Sequence, residues 1–76
     1  MGESMDLQDN IEAVHRMQAC IDVHLKERIT LRMLADAAGY SPWHAAKMFK
    51  ELTGKSPFDY IRTLRLSRAA VRLREE

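Results

Sequence analysis

Apolar residues recur along this chain at intervals of three and four, in blocks separated by short polar connectors. The sharpest block is Ser41–Gly54, where Ala45, Met48, Phe49 and Leu52 fall at i, i+3, i+4 and i+7, one stripe of a core-facing helix. Ser41 is a favoured N-cap, Pro42 has the fixed φ that suits the first helical position, and Gly54 can take the left-handed conformation that ends a helix. The spacing predicts a helix over 42–53, with Trp43, Ala46, Lys47 and Lys50 on its outward face. An indole beside two ammonium groups, with little acid nearby, suits a surface offered to a polyanion.

The remaining blocks supply three more helices. Residues 1–5 are expected to be a disordered end. From about 6 to 26, Leu7, Ile11, Val14, Ile21 and Leu25 form a stripe widened by Met17 and Cys20, with Asp6, Asp9 and Glu12 near the positive end of the helix dipole. A short helix over 31–38 follows the N-cap Thr30, places Leu31, Leu34, Ala35 and Ala38 inward, and stops at Gly39. Only Gly39 and Tyr40 separate it from the Ser41 cap, and two short helices around such a turn describe a helix-turn-helix. The small Ala35, Ala37 and Ala38 allow the two helices to approach closely.

Ser56-Pro57 repeats the cap, with Asp59 placed as in a capping box, and opens a last helix over 57–74. That helix has two apolar stripes: Phe58, Ile61, Leu66, Ala69 and Leu73 on one side, and Tyr60, Leu64 and Val71, with Ser67, on the other. A terminal helix of a small bundle needs only one, so the second implies contact with another domain or another copy. The fold expected is all-α, a small four-helix helix-turn-helix (homeodomain-like) domain.

Composition narrows the function. Seventy-six residues make one small domain, rich in aliphatics and Met, with Gly and Pro few and placed singly. A single cysteine cannot form an internal disulfide, and Cys20, on the inner stripe of its helix, reads as a structural thiol. No apolar run approaches membrane-spanning length and the first residues do not resemble a signal peptide, so a cytoplasmic protein with no membrane partner is expected. The net charge of +1 hides an asymmetry: residues 1–40 carry four Lys/Arg against seven Asp/Glu, and residues 41–76 carry eight against four. The positive half begins where the capped helix begins. His15, His24 and His44 stand on separate segments without ligand spacing, and no nucleophile-base-acid set or Gly-rich phosphate loop occurs. Neither a metal, a cofactor nor an enzymatic activity is expected.

The residues that carry the motif resemble the first helix-turn-helix of the AraC/XylS family of bacterial transcription regulators. The match runs through Ile29-Thr30-Leu31, Leu34-Ala35, Ala38-Gly39-Tyr40-Ser41, Phe49-Lys50, Thr53-Gly54, Ser56-Pro57, Tyr60-Ile61, Arg65-Leu66 and Ala69, and covers roughly residues 11–74. The resemblance implies a domain that binds double-stranded DNA through the helix 42–53 in the major groove, with Trp43, Ala46 and Lys47 facing the bases. Ala46 stands where many relatives have a longer polar side chain, which limits direct readout at that position. Thr30, Ser41, Lys50, Lys55 and Arg62 are the phosphate candidates, giving affinity and register without sequence information.

Family members carry two such motifs joined by a long helix. The second stripe of the last helix is therefore expected to cover a second helix-turn-helix subdomain C-terminal to this chain, in which case the chain is a fragment of a longer regulator with any sensing domain also C-terminal. The resemblance also implies RNA polymerase as a partner, and the same stripe would serve a homodimer through the last helix. A different class of function stays open on the residues alone: a helical protein-interaction module that uses the Trp43 face or that second stripe. Arg65, so near the apolar stripe, reads equally well as structural, bonding to helix ends.

Overall fold

In a computed structural model, the backbone is described for residues 2–75 and side chains for residues 7–69. Four helices follow in order: α1 (Gly2–Val23), α2 (Leu31–Ala38), α3 (Pro42–Thr53) and α4 (Pro57–Glu75). The last three match expectation closely because their starts, and the ends of α2 and α3, are set locally. Thr30 Oγ1 accepts from Met33 N at 3.2 Å, and Ser41 Oγ accepts from His44 N at 3.2 Å. At the other ends Gly39 and Gly54 adopt φ of 82° and 84°, left-handed values that only glycine takes without strain, and each donates its N–H back into the helix it closes. A complete capping box forms at Thr30, whose own N–H reaches the Met33 sulfur at 3.5 Å. At Ser56 only one arm of the expected box is present. Asp59 N donates to Ser56 Oγ at 3.3 Å, but the Asp59 carboxylate turns to Arg62 Nη2 at 2.5 Å.

The first helix departs from expectation at both ends. Its helical backbone begins at Gly2, ahead of the start expected at about residue 6; Met1 lies outside the described residues. It stops at Val23 instead of Lys26, because the chain tightens into a turn there. Glu27 N donates to His24 O at 2.8 Å, and the His24 ring Nδ1 meets Glu27 Oε1 at 2.9 Å. Leu25 stays buried through that turn. Arg65 of α4 donates from Nε to Leu25 O (3.0 Å) and from Nη2 to Glu27 O (2.7 Å), so the structural reading of Arg65 holds. Arg68 pairs with Asp22 beside it.

One core joins all four helices. Ala13, Val14, Met17 and Ile21 of α1 meet Leu34, Ala35 and Ala38 of α2, and Ala45, Met48 and Phe49 of α3, with Ile61 of α4. Phe49 is fully buried and meets the Tyr60 ring edge-on, with centroids 5.3 Å apart. Three expected core positions lie at the rim: Leu7, Ile11 and Leu52 are exposed, Leu7 and Leu52 standing near the outer ends of their helices. Cys20 is half-buried against the core, and burial pushes its thiol pKa up.

The two stripes of α4 are not used as separate faces. The core takes Ile61 from one, with Tyr60 and Leu64 from the other packed partly against it. Phe58, Leu66 and Ala69 are left in solvent; Val71 and Leu73 lie outside the described side chains. No helix among the described residues is long and apolar enough to cross a membrane.

Candidate nucleic-acid interface

The surface singled out by the sequence is the outer side of α3. Burying Ala45, Met48 and Phe49 fixes the helix by its inner stripe, and the helical period then turns Trp43, Lys47 and Lys50 away from the core. Trp43 is 71% exposed, which is decisive for an indole: it is not a core or rim residue of this fold. Lys47 lies across it, Nζ 5.3 Å from the ring centroid, within reach of the ring's negative face. Trp43, half-buried Ala46, Lys47 and Lys50 line one open hollow of about 480 Å³, together with Glu51 and Ser56.

The remaining candidates stand outside this hollow. Thr30 and Ser41 sit at the N-termini of α2 and α3, their hydroxyl oxygens already accepting capping bonds but their hydroxyl protons free to donate onward. Lys55, just beyond α3, reaches Thr63 Oγ1 at 3.5 Å. Arg62 is engaged by Asp59 and is the most encumbered of the set. Lys50 has no ion-pair partner among the described residues and is exposed.

Two features of the surface escaped the sequence reading. Glu51 places a carboxylate oxygen 3.9 Å from Lys47 Nζ, an i,i+4 pair that the spacing alone could have signalled. His44, on the first turn of α3, meets the Tyr40 ring edge-on at 4.8 Å, which ties the start of α3 to the preceding turn. Nothing in the one-dimensional pattern marked that contact, since Tyr40 reads as a loop residue.

Two short helices packed through alanines, a turn of Gly39, Tyr40 and Ser41 between them, and a second helix with a cationic outer side define a helix-turn-helix domain. A family model described as a helix-turn-helix domain matches residues 34–76. The chain belongs to the AraC/XylS helix-turn-helix family. It is 46% identical over 54 residues to the right origin-binding protein of Escherichia coli K12, covering 71% of this chain and 19% of that protein. The same figures hold for the transcriptional regulator Rob of Salmonella typhimurium. The multiple antibiotic resistance protein MarA of Escherichia coli K12 is 34% identical over 62 residues, 82% of this chain and 49% of MarA. The chain thus spans about a fifth of the first two relatives and about half of the third. No solved structure matches it.

Proposed function

We propose that this domain binds double-stranded DNA sequence-specifically, as the DNA-reading part of a transcription regulator, with α3 in the major groove. The observation that carries the reading is the exposed Trp43–Lys47 pair on the outer side of a helix whose inner side is fixed in the core. In this arrangement Lys47 donates to guanine O6 or N7 as a point charge, Trp43 packs on a thymine methyl or sugar, and Ala46 contributes only a methyl contact. Lys50 and Lys55 neutralise phosphates, Thr30 and Ser41 donate hydroxyl hydrogen bonds to them, and Arg62 joins once it leaves Asp59. Relatives named an origin-binding protein and a transcriptional regulator support the assignment.

The exposed Phe58 and Leu66 of α4 support an apolar contact with a further helix-turn-helix subdomain, and a second copy of the chain is the alternative occupant. RNA polymerase as a partner, a cytoplasmic location and a non-enzymatic role belong to the same proposal. Paired substitutions test it. With a duplex enriched from a random pool, Lys47→Ala is expected to cost about 1–3 kcal/mol and to relax preference at one base position. Lys50→Ala is expected to weaken all duplexes alike. Equal, sequence-blind losses from the two would remove Lys47 from the bases.

A further inference from the structure

Two arginines outside the proposed DNA surface use the same chemistry at different joints of the fold. Arg65 holds the turn after α1, as described above. Arg16, on α1, donates from Nε to Ala37 O at 3.0 Å and from Nη2 to Ala38 O at 2.9 Å. Those carbonyls belong to the last two residues of α2, and the next residue is Gly39. A helix end leaves its final carbonyls without intrahelical donors. Here Ala35 O takes both Gly39 N (2.8 Å) and Tyr40 N (3.1 Å), and the guanidinium takes the last two carbonyls, those of Ala37 and Ala38. The charge also stands at the negative end of the α2 dipole.

We propose that Arg16 is a positioning residue for the recognition helix, an inference that rests on α3 being the DNA-reading element. By tying the carbonyl end of α2 to α1, Arg16 fixes where the Gly39–Ser41 turn starts and so the direction in which α3 leaves it. The buried stripe of Ala45, Met48 and Phe49 holds the middle of α3. The first turn, which carries Trp43, is held at its end by buried Ala45 and at its start, among the described residues, by the Ser41 cap and the Tyr40–His44 ring contact. Freed of Arg16, the turn relaxes and the Trp43 end of α3 swings by the fraction of an ångström that spoils base contacts. The two donors form a planar fork spaced for adjacent carbonyls, which a lysine, a single point donor, does not reproduce.

Arg65 provides a matched control, because it makes two bonds of the same kind to carbonyls ahead of α2 and none to the α2–α3 turn among the described residues. The test compares Arg16→Ala, Arg16→Lys and Arg65→Ala in the 76-residue chain. Three quantities are read: the melting midpoint, amide hydrogen exchange over residues 39–47 without DNA, and the affinity ratio between an enriched and a scrambled duplex. Both alanine variants are expected to lower the midpoint by about 5–10 °C. Only Arg16→Ala speeds exchange at residues 39–44, and only it reduces the ratio, by about tenfold at a temperature where the variant is fully folded. Arg16→Lys, which keeps the charge and the stem, recovers most of the midpoint but not the ratio, and carries the test if the alanine variant fails to fold. Equal loss of the ratio in the Arg16 and Arg65 variants overturns the proposal, as does unchanged exchange at residues 39–44. A wild-type chain that does not discriminate between duplexes sinks the DNA reading, while the exchange measurement still decides the role of Arg16.

Discussion

Lys47 is held on two sides within its own helix, by the Trp43 ring at 5.3 Å and by Glu51 at 3.9 Å. Both partners are more than half exposed, and the pair with Glu51 is long, so it contributes little and releases the amine easily. What Glu51 adds is a negative charge beside the surface proposed to meet DNA. Glu51→Gln is therefore expected to raise affinity for every duplex by about two- to fivefold, with the smaller gain on the preferred sequence. Fluorescence anisotropy on preferred and scrambled duplexes reads this directly. Unchanged affinity on both would place Glu51, and with it this flank of α3, away from DNA.

At the scale of elements, the seat of α3 depends on small residues. Ala35 is buried in the core that α2 shares with α1 and α3, and a larger side chain there crowds that shared contact. Ala35→Leu is expected to cost about 1–3 kcal/mol in chemical denaturation, because a tight contact is overpacked. It should also weaken DNA binding beyond its effect on folding, since α3 is displaced as a unit. A variant that loses stability but retains full discrimination would show that the seat tolerates repacking.

The same scale explains what could be read in advance. The helices 31–38 and 42–53 were legible to the residue because caps act within a few positions: Thr30 on Met33, Ser41 on His44, and glycines at both ends. Trp43, Ala46 and Lys47 were legible as a face because one periodic stripe fixes the opposite side. The end of α1 was not, since Leu25 keeps the apolar register while the backbone leaves the helix for a turn held by His24, Glu27 and Arg65. Nor was the division of α4, where two stripes were visible but the core takes residues from both. Arg16 and Arg65 bond across 21 to 40 residues, and no local pattern reports contacts of that range.

At the scale of the molecule, charge is divided unevenly along the chain. The balance of −3 over residues 1–40 and +4 over residues 41–76 puts the excess of cations in the sequence that builds α3 and α4. A domain that neutralises about three phosphates through Lys50, Lys55 and Arg62 should show log affinity falling with log salt at a slope of roughly −3. A slope near zero, read by titration across a salt series, would favour an apolar protein partner at Phe58 and Leu66 instead.

The most direct measurement is a two-dimensional NMR titration of the chain with duplex DNA, following every amide and the Trp43 indole N–H. The largest shifts are expected at the indole and at residues 41–50, with smaller ones near Thr30 and Lys55, and all should reverse on adding salt. An indole that stays in place while shifts gather on the outer side of α1 or on Phe58 and Leu66 of α4 would contradict the assignment of α3 as the element that meets DNA.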